Sequence, residues 1–216
     1  MLIAGVDEAG RGPVLGPMVL AIATIRKEKE SDLLEIGVKD SKMLSPEKRS
    51  EQFPKIKRAL QEFATCHIEP KELDALMDWK SLNEIEAMKI GLLLNNLKQK
   101  PEIVFIDSPD IIQDNFGKRI KKYLTFETVL KTEHKADVNY PITSAASILA
   151  KVERDSAIAE LAREFGEIGS GYSHDQTTRD YLFNFVKQNK CLPSFCRKSW
   201  DTSRQAMDSQ LQQKLF

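Results

Sequence analysis

Carboxylates that could do chemistry stand at the ends of two apolar runs of the chain. Asp7 follows the run at residues 2–6 and is itself followed by Glu8, and Asp107 follows the run at residues 103–106. Short apolar runs of this kind are typical of buried strands. If the two strands are neighbours, their carboxylates meet at one edge of the sheet, where α/β proteins generally build their sites.

A further acid, Asp137, follows a third β-like run at residues 126–130 and can join the same edge. Adjacent side chains of a continuing strand point to opposite faces of the sheet. The backbone must therefore turn after Glu8 if the Glu8 and Asp7 carboxylates are to approach the same point. Gly10 and Gly12 come shortly after Glu8, and glycine permits a tight turn. The sequence therefore predicts a turn immediately after the Asp-Glu pair.

Three or four convergent carboxylates indicate a site for divalent cations. Like charges disfavour one another's ionisation, and a hard cation such as Mg²⁺ or Mn²⁺ with oxygen ligands removes that repulsion. Two such ions about 3.5–4 Å apart stabilise the attacking and the leaving oxygen of a phosphoryl transfer. The alternative is that these acids are unrelated surface residues, as most of the 32 acidic residues must be.

Two glycine-rich turns could present groups to a nucleic acid. The Gly-Arg-Gly motif at residues 10–12 places backbone amides and a guanidinium beside the acids, and arginine can hold a phosphate through two hydrogen bonds. The Gly-Ser-Gly-Tyr motif at residues 169–172 presents an aromatic ring, which can stack on a sugar or a base. Each motif alone also fits a plain turn, with a solvated arginine or a core-packed tyrosine.

Composition narrows the class of protein. The 216 residues are enough for one sizeable core, and 32 basic residues balance 32 acidic ones, which argues against a large basic field. The cysteines Cys66, Cys191 and Cys196 are too few for a disulfide framework and lack the further ligands of a closed zinc site. The sequence shows neither a signal peptide nor an apolar stretch of roughly 20 residues, so a cytoplasmic protein is expected.

The alternation of strand-like and helical patterns predicts the α/β class. Ser, Pro and Glu in succession at residues 45–47 form a helix start, and Pro54 is expected to kink or divide that helix near Phe53. A second strand is expected at residues 18–25, and further helices at residues 82–97, 141–165 and 175–187.

We expect a catalytic part at residues 1–165 and a helical C-terminal extension with a polar tail at residues 166–216. The boundary falls at the glycine-rich segment that ends the helix at residues 141–165, since glycine commonly terminates helices.

Taken together, the motifs resemble those of the type 2 ribonucleases H, most closely the archaeal branch. The matching stretches are residues 7–12 with 16–17, 38–42, 107–110, 133–137, 145–154 and 169–172. They occur in order and span residues 3 to about 200, so the resemblance covers essentially the whole chain. Several motifs together are far more specific than any one of them.

The resemblance implies a ribonuclease H-like fold, with a mixed five-stranded sheet flanked by helices and a helical C-terminal extension. It implies that the metal-binding and catalytic carboxylates are Asp7, Glu8, Asp107 and Asp137. It also implies that the ribose 2′-hydroxyl at an RNA–DNA junction is sensed by Gly10, Arg11, Gly12 and Tyr172. A loop that grips backbone phosphates is matched by Lys39, Ser41 and Lys42.

The activity implied by the resemblance is endonucleolytic hydrolysis of RNA in RNA/DNA hybrids and on the 5′ side of ribonucleotides embedded in duplex DNA. Two divalent ions, Mg²⁺ or Mn²⁺, would take part, and the products would carry a 3′-hydroxyl and a 5′-phosphate. The 2′-hydroxyl is the group that distinguishes RNA from DNA, which fits such selectivity. Roles in primer removal and ribonucleotide excision, and a monomeric state, are implied as well.

Three alternatives remain open. A type 3 ribonuclease H shares the Asp-Glu pattern but carries an N-terminal substrate-binding domain, for which a pattern beginning at Asp7 leaves no room. A non-catalytic duplex-binding module would use the acids structurally. A glycosidase would pair two carboxylates but gives the Gly-Arg-Gly motif no role. Separately, His134 could orient Asp137, although a solvated or core-satisfied histidine is the favoured interpretation.

The C-terminal region adds two expectations. Between positions 187 and 204 five basic residues, including Arg197, face one acidic residue, Asp201, which favours contact with duplex phosphates. The tail at residues 210–216 resembles the sliding-clamp peptide Gln-x-x-aliphatic-x-x-aromatic, in which Gln210 and Phe216 fit but Gln213 replaces the aliphatic residue. The resemblance of the tail therefore adds a sliding clamp to the expected partners.

Overall fold

A mixed five-stranded sheet organises the chain in the computed structural model, which describes residues 1–38 and 44–212. The strands lie in the order β3-β2-β1-β4-β5. Their bounds are β1 Leu2–Ala9, β2 Met18–Arg26, β3 Glu62–Ile68, β4 Ile103–Asp107 and β5 Val129–Glu133. The expected α/β class and mixed five-stranded sheet are confirmed.

The pairing of β1 determines which residues share an edge of the sheet. It runs antiparallel to β2 and parallel to β4, with Val6 opposite Ile106 in the parallel pair. Strand β4 in turn runs parallel to β5, with Asp107 opposite Glu133. Most residues of β1 and β2 are buried, as expected for strands covered on both faces.

Helices surround the sheet and form most of the C-terminal part. After a short 3₁₀ turn at Lys27–Lys29, the helices are α1 Glu30–Ile36, α2 Pro46–Ala59, α3 Pro70–Met77, α4 Leu82–Asn96, α5 Gln113–Lys121, α6 Ala136–Asn139, α7 Pro141–Phe165, α8 Gln176–Asn189 and α9 Asp201–Gln212. Asp175 caps α8 by accepting a hydrogen bond from the Thr177 amide at 3.0 Å, which supports the sequence interpretation of that helix start.

Pro54 was expected to kink or divide α2 near Phe53, and the predicted division is wrong. The helix begins at Pro46 after its cap Ser45 and continues through the proline to Ala59. A proline removes one helical hydrogen bond and crowds the preceding turn. Ile56 is fully buried and Phe53 packs against the same core.

Elements with little buried surface were misplaced or missed from the sequence. Strand β5 was expected at residues 126–130 but occupies Val129–Glu133, where only Thr132 is buried. Strand β3, the other edge, is half-buried over most of its length. The C-terminal tail was expected to be polar, yet α9 begins at Asp201 and buries Ala206.

The chain forms two compact units. Unit 1 comprises Met1–Ala9, Val19–Cys66 and Ser81–Glu153, and unit 2 comprises Gly10–Met18, His67–Lys80 and the chain from Arg154 onward. Unit 2 has a hydrophobic core of its own, which includes Val14, Leu15, Ile168, Leu182 and Val186. The division at residues 165 and 166 into a catalytic part and an extension stays a prediction.

None of the described helices combines the length and the apolar character needed to cross a membrane.

Candidate active site

Strand register brings Asp7 and Asp107 to one edge of the sheet. Val6 and Ile106 are the last paired residues of β1 and β4, so the two aspartates are the next residue of each parallel strand. Helix α7 lies close behind β1, because a Cβ on Gly5 would come within 2.4 Å of the Ile142 carbonyl. A glycine at position 5 therefore permits the close approach of the helix to the strand that carries Asp7.

Burial and neighbouring charge control the ionisation of Asp7. Its pKa is raised well above the ordinary value, first by burial and then by repulsion from Glu8 and Asp107. A hydrogen bond from the Ser147 hydroxyl on α7 opposes that increase. Ser147 is buried and was not singled out from the sequence, although it lies within the Ala-rich motif at residues 145–154.

Asp137 belongs to the same part of unit 1 as Asp107, because the residue before Asp137 is hydrogen-bonded to Asp107. Asp107 Oδ1 accepts a hydrogen bond from the Ala136 amide at 2.9 Å, and Asp137 is the next residue along α6. Only 1% of Asp137 is exposed. Lys135 caps this short helix with φ 60° and ψ 36°, a left-handed conformation that costs about 1–2 kcal/mol.

Strand β1 continues one residue past Glu8, to Ala9, and the chain bends where the sequence predicted a turn, beginning at Gly10 with φ 82°. Glu8 is half-buried and lies in the strand, so its side chain leaves the backbone on the opposite face from that of Asp7. Its charge nevertheless raises the pKa of Asp7.

His134 and Asp110 have structural contacts near this edge. The His134 ring nitrogens lie 3.1 Å from the Ser108 carbonyl oxygen and 3.4 Å from that of Ile111, which links the segments that follow β4 and β5. Asp110 accepts hydrogen bonds from Asn83 and from Arg119 Nε. These contacts favour the interpretation of His134 as a structural residue.

The donor set fits hard divalent cations. Asp7, Glu8, Asp107 and Asp137 offer oxygen atoms only, which suits Mg²⁺ or Mn²⁺. Repulsion among the first three raises the pKa of Asp7, and a cation would remove that repulsion. Within residues 1–38 and 44–212, no group of three or more His, Cys, Asp or Glu side chains has an arrangement that could hold a metal ion as it stands.

Unit 2 brings together the two glycine-rich motifs of the sequence, which we name the 10–16 loop and the 169–172 turn. The Gly171 carbonyl accepts hydrogen bonds from the Val14 and Leu15 amides at 2.8 and 3.1 Å. A Cβ on Gly12 would lie 4.0 Å from the Tyr172 ring. Gly12 and Tyr172, predicted to act together, are therefore neighbours.

Two buried arginines lie behind these motifs. Arg154, 4% exposed, donates through Nη2 to the Ser170 carbonyl at 3.0 Å, and its guanidinium lies 5.0 Å from the Tyr172 ring centroid. Gly10 has φ 82°, and a Cβ there would come within 2.4 Å of Arg154 Nε. Arg197 is fully buried, so it is not available for the contact with duplex phosphates that was expected of the basic residues at positions 187–204.

Three predicted phosphate-binding residues, Lys39, Ser41 and Lys42, lie outside the described residues.

The family model of ribonuclease HII matches residues 4–203. Ribonuclease HII from Pyrococcus horikoshii is 44% identical over 204 residues, which cover 94% of this chain and 92% of that protein. Ribonuclease HII from Methanococcus maripaludis is 42% identical over 218 residues, covering 100% of this chain and 91% of that protein.

Solved structures agree with these sequence matches. The crystal structure of ribonuclease H2 from Pyrococcus horikoshii aligns with a TM-score of 0.92 at 42% identity and covers 97% of this chain and 98% of that one. Ribonuclease HII from Archaeoglobus fulgidus, solved in complex with PCNA, aligns with a TM-score of 0.84 at 38% identity over 93% of this chain and 96% of that one. At 18% identity, Bst-RNase HIII shares the fold, with a TM-score of 0.78 over 97% of this chain and 70% of that one.

The fold and the acidic edge define a protein of the ribonuclease H class, an endoribonuclease and hydrolase. The family match over nearly the whole chain makes the assignment specific: the chain belongs to the ribonuclease HII family.

Proposed function

We propose that the protein hydrolyses RNA in RNA/DNA hybrids and cuts on the 5′ side of ribonucleotides embedded in duplex DNA, leaving a 3′-hydroxyl and a 5′-phosphate. The observation that carries the proposal is the placement of Asp7 and Asp107 at neighbouring ends of the parallel strands β1 and β4. Roles in primer removal and ribonucleotide excision follow from that substrate class.

Asp7, Glu8, Asp107 and Asp137 would hold two divalent cations, Mg²⁺ or Mn²⁺. When bound, such ions activate water and stabilise charge on the leaving oxygen. The protein's own contribution is to keep the carboxylates oriented. The Ala136 amide donates to Asp107, and the Ser147 hydroxyl donates to Asp7 and favours its ionised form.

Recognition of the ribonucleotide is assigned to Gly10, Arg11, Gly12 and Tyr172. The Tyr172 ring can stack against a sugar while backbone amides of the loop bind the 2′-hydroxyl or the adjacent phosphate. The proximity of Gly12 to the Tyr172 ring, with 4.0 Å between that ring and a Cβ built on Gly12, supports a common role. Lys39, Ser41 and Lys42 are proposed to bind backbone phosphates, on the strength of the motif alone.

The test is cleavage of a labelled DNA duplex that contains one ribonucleotide, compared with an all-DNA duplex and an RNA/DNA hybrid. We expect one cut on the 5′ side of the ribonucleotide with Mg²⁺ or Mn²⁺, and none with EDTA. Cleavage of the hybrid alone would remove the proposed junction sensing. The absence of cleavage with both metals would favour a binding module.

A second proposal is that residues 210–216 bind a sliding clamp. It is supported by the Archaeoglobus fulgidus relative, whose structure was solved in complex with PCNA, and by the Gln210 and Phe216 pattern. Residues 213–216 lie outside the described residues. Isothermal titration of the cognate clamp should give heat with the full chain and none after removal of residues 210–216; no heat from the full chain would refute the proposal.

A further inference from the structure

Arg197 makes an unusual set of contacts with the 10–16 loop. Its guanidinium donates three hydrogen bonds to backbone carbonyl oxygens: Nη2 to Gly10 at 2.6 Å, Nη1 to Arg11 at 3.1 Å and Nε to Gly16 at 3.1 Å. Its own backbone amide donates to the Val14 carbonyl at 2.9 Å. One side chain therefore fixes the two ends of the loop at once.

Trp200 extends this set of contacts to the middle of the loop. Its indole Nε1 donates to the Gly12 carbonyl at 3.1 Å. The Arg197 guanidinium lies 4.8 Å from the Trp200 ring centroid, a cation–π distance. The two residues together bind the carbonyls of Gly10, Arg11 and Gly12, the three residues of the Gly-Arg-Gly motif.

The direction of these carbonyls determines the direction of the amides. In a trans peptide the C=O of one residue and the N–H of the next point to opposite sides of the peptide plane. Because the Gly10 and Arg11 carbonyls face Arg197, the N–H groups of Arg11 and Gly12 face away from it. The Gly12 carbonyl precedes Pro13, which has no N–H. The loop therefore presents two successive amides on its outer side, where Gly12 is exposed.

We propose that Arg197, assisted by Trp200, is a positioning residue that fixes the Arg11 and Gly12 amides for recognition of a ribonucleotide. The inference rests on the junction sensing proposed above. Arg197 is fully buried, so it acts through the loop and does not itself touch the substrate. Arginine is required because only its planar fork of five donors reaches three carbonyls in fixed directions.

The cost of this arrangement supports a functional purpose. Burial, and then repulsion from Arg154, lower the pKa of Arg197 to about 10, so the side chain remains charged at neutral pH although it is buried. Carbonyls of a surface turn can be satisfied by water instead. Burying a cation to provide hydrogen bonds for these carbonyls costs more free energy than leaving them to water. The cost is explained if the loop must keep one conformation.

The experiment compares Arg197→Lys, which keeps the charge but loses the fork, with Trp200→Phe, which keeps the ring but loses the donor. Affinity is measured in EDTA, at one fixed salt concentration, for a duplex with one ribonucleotide and for the same duplex in all-DNA form. The ratio of the two affinities is the discrimination. Amide resonances of Gly10 and Gly12 in ¹⁵N spectra report the conformation of the loop without any substrate.

Two control variants separate positioning from general stability. Arg179→Lys alters another arginine of unit 2, whose guanidinium lies 5.6 Å from the Phe183 ring centroid. Val186→Ala weakens the core of unit 2 at a fully buried position. It shows how much discrimination is lost through reduced thermal stability alone, for comparison with Arg197→Lys.

We expect Arg197→Lys to lower discrimination about tenfold, which corresponds to the loss of about 1.4 kcal/mol. Affinity for the all-DNA duplex should change little, and the Gly10 and Gly12 resonances should shift or broaden. Trp200→Phe should lower discrimination a few-fold, and both controls should retain it. Wild-type discrimination in folded Arg197→Lys, or an equal loss in Val186→Ala, would overturn the inference.

The two proposals fail in different ways. If the wild-type protein itself does not discriminate between the two duplexes, junction sensing fails. The spectra then decide the positioning role separately, since unchanged Gly10 and Gly12 resonances in Arg197→Lys would show that Arg197 does not hold the loop.

Discussion

The two units bury charge of opposite sign. In unit 1, Asp7 and its acidic neighbours repel one another, and the pKa of Asp7 is raised. In unit 2, Arg197 and Arg154 repel one another, and the pKa of Arg197 is lowered to about 10. Each arrangement opposes folding, because burial penalises the charged form and like charges reinforce the penalty.

The difference lies in how each unit relieves its repulsion. The Arg197 guanidinium is satisfied within the protein by carbonyl oxygens of the 10–16 loop. The carboxylates of unit 1 receive hydrogen bonds from Ser147 and Ala136, but the charges of Glu8 and Asp107 still raise the pKa of Asp7. Unit 2 therefore satisfies its buried charge by its own contacts, whereas the repulsion at Asp7 in unit 1 is only partly offset within the protein.

The largest effect is expected from Asp7→Asn in unit 1. Cleavage should fall more than about a hundredfold, because loss of a partner behind a metal ligand alone typically costs about 10–100-fold. Without metal the variant should unfold at a higher temperature than the wild type, since one repelling charge is gone. Cleavage assays and thermal unfolding in EDTA measure both. Asp32→Asn, an exposed site on α1, is the control; wild-type turnover by Asp7→Asn would contradict the site.

The same change has a defined effect on pH dependence. Folded Asp7 holds its proton more tightly than the unfolded chain, so without metal the stability due to this group falls as pH rises above the ordinary pKa of 3.8. Asp7→Asn should remove that decline. Parallel stability curves for the two proteins between pH 4 and pH 7 would show that the burial of Asp7 has no such cost.

A smaller effect is expected from Ser147→Ala. Loss of the hydroxyl removes the hydrogen bond that favours ionised Asp7, so metal affinity should fall about tenfold, the lower part of the range for such partners. Titration of activity against Mg²⁺ measures the shift, and saturating metal should restore much of the rate. The neighbouring Ser144→Ala, also buried, is the matched control. An unchanged metal requirement in Ser147→Ala would rule out this role.

In unit 2, Tyr172→Ala tests recognition without altering the carboxylates. Stacking of an aromatic ring on a nucleic acid contributes about 1–3 kcal/mol per base, so cleavage at a single ribonucleotide should fall about tenfold or more. Affinity for all-DNA duplex should fall less. Tyr172→Phe keeps the ring and should retain most of the activity if stacking dominates. Equal losses of cleavage and of duplex affinity in Tyr172→Ala would remove the sensing role.

The smallest effect is expected from Asp175→Asn, which alters the 169–172 turn. Asp175 Oδ2 accepts hydrogen bonds from the Ser170 amide and hydroxyl, each at 2.6 Å, and these contacts lower its pKa to about 2. If the Asn oxygen keeps the helix cap, the amide nitrogen that replaces Oδ2 accepts neither bond, although the Ser170 hydroxyl can turn to water. We expect a loss of about 1 kcal/mol at neutral pH, the usual size of one hydrogen bond.

The pH dependence distinguishes this explanation from a general loss of packing. A lowered pKa contributes stability that is present above the ordinary value of 3.8 and is lost as pH falls towards about 2. Denaturant unfolding of the wild type and of Asp175→Asn should therefore differ at pH 6 and converge near pH 2. A constant difference across that range would exclude the charge of Asp175 as the cause.

Strands buried on both faces could be located from the sequence, and strands at the edges could not. Leu2–Ala9 and Ile103–Asp107 contain continuous apolar runs because both faces of the sheet are covered. Strand β5 buries only Thr132, and β3 is half-buried, so neither shows a distinctive pattern. Pro54 illustrates the same limit, since packing of Ile56 maintains a helix that local propensity opposes.

The four carboxylates were predicted from residue type and from their position after strands, and their roles stay a prediction. The residues that support them were missed. Ser147 lies on α7, far along the chain from Asp7, and its hydroxyl carries no signal in an Ala-rich helix. Arg197 was interpreted as part of a basic surface, because a sequence does not reveal that a charged side chain is buried beneath a loop 181 residues away.

The sequence by itself determined the fold class, the family and the types of residue available for chemistry. These depend on local patterns: apolar runs, glycines at turns and acids at strand ends. Only the tertiary structure decided that Arg197 and Trp200 hold the Gly-Arg-Gly carbonyls and that Asp7 is buried beside Ser147. The physical reason is that burial and hydrogen bonding between distant segments are properties of the packed chain. The free energy of a charged side chain depends on the groups that surround it in the folded protein.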